Sequence, residues 1–267
     1  LKVTLLGVGG SAGSPQIGGA DGFGDWGKID PAEPRNRRTR PSILIETSES
    51  KRILVDTGPD LRLQLTACGF GRIDAVIWTH SHADHIAGLD EIRILNRLLG
   101  APMPAYASAA VWQDLQYRFD YAFKPFAGGF FSRPVIEMNE IVAGQGTEIF
   151  GLPFEFIDQD HGYSRSLGLR IGTFAYCTDV VRLDEAALAA LAGVEIFVVD
   201  CFTSGGLHPT HANLETVLGW VARLRPVRTI LTHMGPDMDY RRLRETLPAG
   251  VEPGFDGMVI EAASKIG

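Results

Sequence analysis

The apolar run Ala75-Val76-Ile77-Trp78 passes directly into Thr79-His80-Ser81-His82-Ala83-Asp84-His85. The first part reads as a buried strand. The second packs four metal-ligand side chains, His80, His82, Asp84 and His85, into six residues, and holds three of the chain's seven histidines. A strand end fixes where ligands start from, so the fold must bring rigid strands together at this run. His80, His82 and Asp84 are two residues apart, and in an extended chain they share a side. His85 follows at once, so a turn must redirect it. One ion rarely takes four ligands from so short a loop. Two ions share them more easily, and two ions need further ligands from elsewhere.

Apolar patterning and turn residues predict strands over 2–7, 42–46, 52–55 and 75–78 and helices over 61–67 and 90–99. A second strand-rich block covers 135–138, 147–150, 154–157, 167–171 and 173–176. A helix over 183–191, a strand over 194–199, a helix over 214–224 and a strand over 228–231 follow. Two strand-rich regions, each with helices after it, suggest two sheets packed face to face with helices outside. Three strand ends of the later region carry ligand types: His161, Asp179 and His233. Ile77-Trp78-Thr79-His80 and Ile230-Leu231-Thr232-His233 both end in Thr-His, which points both strand ends at one site. Five histidines and two aspartates would fill two adjacent sites with one carboxylate bridging.

With 267 residues, 45% of them apolar and 21% charged, the chain can bury a sizeable core, and a single domain over 1–267 is expected. A net charge of −7 argues against broad nucleic-acid binding. The local basic run with Arg35, Arg37, Arg38 and Arg40 is read as a solvated loop. Three scattered cysteines give no disulfide framework and fit a reducing compartment, so a cytoplasmic location is expected. No apolar run reaches the roughly 18 residues of a membrane span, and no signal-like segment opens at Leu1.

His80-x-His82-x-Asp84-His85, followed in order by His161, Asp179 and His233, resembles the metallo-β-lactamase superfamily. The resemblance runs from Asp56-Thr57-Gly58 to Phe255-Asp256-Gly257. It implies an αββα sandwich of the α/β class with two divalent ions. His80, His82 and His161 would hold one; Asp84, His85 and His233 the other; Asp179 would bridge them. Imidazole and carboxylate donors suit Zn²⁺ or Mn²⁺. Flavodiiron oxidoreductases share the fold but resemble His-x-Glu-x-Asp at this run; His82 at the Glu position favours hydrolysis.

Other segments narrow the resemblance. The Gly7-to-Pro15 loop is Gly-rich after a strand and can cradle an anion. With Arg37-Arg38-x-Arg40-Pro41-Ser42, Leu54-Val55-Asp56-Thr57-Gly58, Asp200-Cys201, His211 and Gly254-Phe255-Asp256-Gly257-Met258, it resembles the PhnP-type phosphodiesterase branch, near tRNase Z. That implies attack by a metal-bridging hydroxide on a small cyclic or nucleotide-like phosphodiester. His211 would be the leaving-group acid, and Asp84 joins it as a catalytic candidate. His208 is read as a solvent-facing loop residue. Asp56 is either an orienting partner of a ligand histidine or a turn former. PhnP-type enzymes carry a Cys-rich zinc site after the first strand; residues 16–27 hold no cysteine, so no structural zinc is expected there. The aromatic stretch 117–133 is read as a pocket-covering insertion. The alternatives are a thioester or lactone hydrolase and a tRNA 3′-processing endonuclease. The resemblance also implies a possible homodimer.

Overall fold

The computed structural model describes residues 1–262; the last five residues of the expected 1–267 domain lie outside the described residues. Lys2–Gly7 (β1), Ser42–Glu46 (β2), Arg52–Val55 (β3), Ala75–Ile77 (β4), Met103–Ala107 (β5) and Ile136–Glu140 (β6) form most of one sheet. Gly146–Ile149 (β7), Leu152–His161 (β8), Ser164–Ile171 (β9), Phe174–Cys177 (β10), Ile196–Asp200 (β11), Arg228–Thr232 (β12) and Val251–Pro253 (β13) form the other. Met258–Glu261 (β14) returns to the first sheet and pairs antiparallel with β1. The orders are β14-β1-β2-β3-β4-β5-β6 and β13-β12-β11-β10-β9-β8-β7.

Strand alternation explains the layering. In β2, Ile43 and Ile45 face the inner core while Leu44 faces the other way. In β3 and β4, Ile53, Val55, Ala75 and Ile77 point inward and Leu54 and Val76 outward. The inward set meets Phe154, Phe156, Leu169, Phe174, Tyr176 and Val198 of the second sheet. The outward set needs its own cover, because a strand buried on both faces must be packed on both. Leu61–Ala67 (α1), Ile92–Leu99 (α3) and Ala109–Arg118 (α4) supply it with Leu61, Leu65, Ile92, Leu95, Trp112 and Leu115. A short helix, Ala83–Ile86 (α2), lies in the ligand loop between them. Glu185–Ala190 (α5), Leu214–Leu224 (α6) and Tyr240–Thr246 (α7) pack Leu188, Val217, Trp220 and Leu243 on the second sheet's side of the core. The result is the αββα sandwich of the metallo-β-lactamase fold.

Helix starts follow capping chemistry. Asp184, Asn213 and Asp239 each accept a hydrogen bond from the backbone N–H three residues on, at 2.8–3.0 Å. Among the described residues no helix is long and apolar enough to cross a membrane.

Parallel strands position the site. β3 to β6 run parallel, as do β10 to β13. Ligands of such sheets gather beyond the carboxyl ends of the strands. There β3 is followed by Asp56, β4 by Trp78, Thr79 and His80, β10 by Thr178 and Asp179, and β12 by His233, while β11 ends at Asp200.

Several elements went beyond the sequence expectation. β5 escaped it because Pro104 and small alanines give little strand signal. The helix expected over 90–99 begins as a separate 3-10 turn, Leu89–Glu91. The redirecting turn at His85 is α2, with His82 at its N-cap.

Candidate metal centre

The structure brings all seven expected ligands together. His80, His82, His161 and Asp179 form one group, and Asp84, His85, Asp179 and His233 a second; within each, one donor atom per residue lies within 4.8 Å of all the others. Asp179 belongs to both. Its Oδ2 lies 3.7 Å from His80 Nε2, 3.6 Å from His161 Nε2 and 3.3 Å from His233 Nε2, and its Oδ1 lies 3.1 Å from His85 Nε2. His82 Nδ1 is 3.1 Å from His161 Nε2. Asp84 Oδ2 is 3.4 Å from His85 Nε2 and 3.6 Å from His233 Nε2.

The residues fit divalent cations. His80 Nε2, His85 Nε2, His233 Nε2 and Asp84 Oδ2 are buried with no hydrogen-bond partner. Each such orphan costs about 1–3 kcal/mol, so this many facing one point is unfavourable without a shared partner. A divalent cation would supply that partner, since imidazole nitrogen and carboxylate oxygen are its donor types.

Outer hydrogen bonds aim the rings. Asp56 accepts from Thr79 N and Thr79 Oγ1, both at 2.8 Å, and from His85 Nδ1 at 2.7 Å. The Thr79 hydroxyl gives its proton to Asp56, so it accepts from His80 Nδ1 at 3.0 Å. His161 Nδ1 donates to the Thr210 carbonyl at 2.8 Å. In all three histidines Nδ1 is turned to the outer partner and Nε2 to the cluster. Of the two readings left open for Asp56, these contacts favour the orienting partner.

Backbone strain marks the same places. Asp56, Asp179 and His233 have φ of +66°, +51° and +53°. Left-handed backbone at non-glycine residues costs of order 1–3 kcal/mol and persists where the surroundings hold it. Thr178 Oγ1 donates to Asp179 Oδ1 at 2.6 Å, and Ser166 Oγ donates to the Asp179 carbonyl at 2.7 Å.

Charge is unevenly placed. Burial drives His80 well below its ordinary range, and lowers His82 and His161, which keeps them as neutral ligands. Burial also lowers His85, but Asp179, Asp56 and Asp84 outweigh it and hold the ring well above its range. For His233, Asp179, Asp84 and Asp200 outweigh burial and push it up to about 9. Burial raises Asp179, yet His233, His85 and His80 hold it well below the carboxylate range. The carboxylates of the second group thus draw positive charge to their side of the site.

His211 stands beside the second group. Its Nδ1 donates to Asp200 Oδ2 at 2.7 Å, and its ring stacks on His233 with centroids 4.4 Å apart. Asp200 Oδ2 also accepts from Val180 N at 3.0 Å, and its Oδ1 lies 3.8 Å from His233 Nδ1. Asp200 carried no role in the sequence; its signal was an acid closing the apolar run Phe197-Val198-Val199. His208 departs from the expected solvent-facing residue. Its ring packs 4.8 Å from Phe202 and 5.1 Å from His211, because the loop doubles back over the site.

The basic run, expected as a solvated loop, is one only in part: Arg35 and Arg37 are exposed, while Arg38 and Arg40 brace the chain. Arg38 is 2% exposed and its Nη2 donates to Asn36 Oδ1 and the Met238 carbonyl; Arg40 pairs with Asp60 at 3.1 Å; Arg37 lies over Trp26. The stretch 117–133 starts beside the ligand loop, where Arg118 Nη1 donates to the Ser81 carbonyl, and further along Arg133 donates to the carbonyls of Ala122, Lys124 and Pro125 while Phe126 stacks on Phe131.

Residues 51–234 match the family described as the beta-lactamase superfamily domain. A solved structure, "Crystal Structure of a New Diphosphatase from the PhnP Family", superposes with a TM-score of 0.86 at 32% identity, over 98% of each chain. The octanoyltransferase of Porphyromonas gingivalis is 28% identical over 262 residues, 97% of this chain and 51% of that protein, so the chain spans about half the length of that curated relative. The anti-Pycsar protein Apyc1 of Bacillus phage 010DV004 is 26% identical over 219 residues, 74% of this chain and 83% of that protein. The family match covers both the strands that end in ligands and the ligands themselves, and the chain belongs to the metallo-β-lactamase superfamily, beside the PhnP family within it.

Proposed function

We propose that the protein is a dinuclear metal-dependent phosphodiesterase acting on a small cyclic or nucleotide-like phosphodiester. The observation that carries this reading is the His211–Asp200 pair set against two ligand groups that share Asp179. The similarity to a PhnP-family diphosphatase supports the phosphate class. Bound Zn²⁺ or Mn²⁺ ions would activate water and neutralise charge developing on phosphate oxygens.

The chain's own residues do the rest. His80, His82, His161, Asp84, His85 and His233 would hold the ions, with Asp179 between them. Asp56, Thr79 and the Thr210 carbonyl keep the ligand rings in the right tautomer. Asp200 holds the His211 proton on Nδ1, which leaves Nε2 to carry a second proton to a leaving alkoxide. Asp84, 3.6 Å from His233 Nε2, keeps that side of the site anionic.

The test compares diesters with thioesters and lactones on protein loaded with Zn²⁺ or Mn²⁺. Diester turnover is expected to dominate. His211→Ala is expected to lower turnover of an alkyl-leaving-group diester by about 10²–10⁴-fold, and far less for a p-nitrophenyl diester, whose leaving group needs no proton. Thioester or lactone turnover exceeding diester turnover in both metal forms would overturn the reading.

A further inference from the structure

We propose that Asp114 and Arg118 clamp the His80–Ser81–His82 backbone and so position His82 as a metal ligand. This rests on the metal-dependent reading above.

The ligand rings differ in how they are aimed. His80, His85 and His161 each use Nδ1 to bond an outer partner: Thr79, Asp56 and the Thr210 carbonyl. His233 Nδ1 faces Asp200 Oδ1 at 3.8 Å. His82 presents Nδ1 to the cluster, and its Nε2 has no hydrogen bond among the described residues. Its side chain is also exposed, and its ring contacts are with His80 and His161, themselves candidate ligands, at centroid distances of 4.6 and 4.9 Å. Outer support for its direction then comes through the backbone.

That backbone is held at Ser81. Ser81 Oγ donates to Asp114 Oδ2 at 2.5 Å, and Arg118 Nη1 donates to the Ser81 carbonyl at 2.7 Å. Asp114 and Arg118 are one turn apart on α4, so both reach the same residue. The helix is itself anchored: Val111, Trp112 and Leu115 are buried, and Trp112 Nε1 donates to the Asn139 carbonyl at 3.1 Å. Two contacts, one on the side chain and one on the carbonyl, fix the rotation of Ser81. That rotation decides whether His80 and His82 face the same point. Asp114 and Arg118 touch no ligand atom and are positioning residues.

The test titrates Zn²⁺ into metal-stripped protein against a competing chelating dye, with the melting of the metal-free protein as a second readout. Asp114→Ala and Arg118→Ala are each expected to weaken Zn²⁺ affinity about 10-fold with metal-free melting unchanged. Asp114→Asn keeps an acceptor and Arg118→Lys a donor, and both should regain most of the affinity. Affinity within twofold of the parent in both alanine variants would overturn the clamp. So would a loss of affinity matched by a fall in metal-free stability that the Asn and Lys variants do not reverse. A parent that binds Zn²⁺ but cleaves no diester would sink the phosphodiesterase reading and leave the clamp standing.

Discussion

Asp200 touches two histidines with different duties. Its Oδ2 orients His211, and its Oδ1 faces the outer side of the ligand ring of His233. An amide at this position offers one acceptor in place of two. Asp200→Asn should therefore lower turnover of an alkyl diester about 10²-fold or more. Adding His211→Ala should lower it little further, because the two residues act as a unit. Steady-state kinetics of the two single variants and the double variant check this. Independent, multiplying losses would contradict it. Far from the site, Glu33 shows a residue whose charge serves the fold. Hydrogen bonds from Arg35 and then Arg241 hold its carboxyl down to about 2 against the opposing effect of burial. A lowered carboxyl stabilises the fold above its ordinary value near 4.5, and that stability is lost as pH falls through about 2. Glu33→Gln should melt below the parent at neutral pH. The gap should narrow as pH falls from 4.5 towards 2 in a calorimetric series.

At the scale of elements, the site is a set of strand ends pressed together, and glycines set how closely. A Cβ on Gly58 would lie 2.3 Å from the Asp84 carbonyl, and one on Gly88 would lie 2.1 Å from the Gly58 carbonyl. Those backbones must touch for the Asp56 loop to meet the Asp84 loop. Gly88→Ala should destabilise the chain by about 1–3 kcal/mol, as overpacking does, measured by chemical denaturation, and should loosen metal binding with it. A variant with parental stability would show that the contact is not needed. The candidate ligands were legible in the sequence because several follow an apolar strand run: Ala75 to Trp78 before His80, and Ile230-Leu231 before Thr232-His233. The outer partners were not. The Thr210 carbonyl has no residue-type signal, and Asp200 meets His211 only through a loop whose path the sequence does not reveal. β5 and α4 also stayed hidden, so Asp114 and Arg118 could not be linked to Ser81. The order of the strands within the two sheets was beyond local patterning too, since β14 crosses from the far end of the chain to pair with β1.

Across the whole molecule, the centre joins the two sheets. His80, His82, Asp84 and His85 follow β4 of the first sheet, while His161, Asp179 and His233 come from β8, β10 and β12 of the second. Neither sheet alone supplies a complete group, so an ion bound here ties one sheet to the other. Ligand held at about 1,000 times its dissociation constant stabilises the native state by about 4 kcal/mol. In a chain of this size that raises the melting temperature by roughly 10 °C. Metal removal should therefore lower the melting temperature by about that amount, and restoring Zn²⁺ should reverse it. The most direct measurement is a titration of metal-stripped protein with Zn²⁺ or Mn²⁺, following diester hydrolysis and bound metal together. Hydrolysis is expected to be absent without metal, to rise as ions bind, and to reach its plateau at two ions per chain. Diester hydrolysis that persists in the stripped protein, or metal-saturated protein that cleaves no diester, would contradict it.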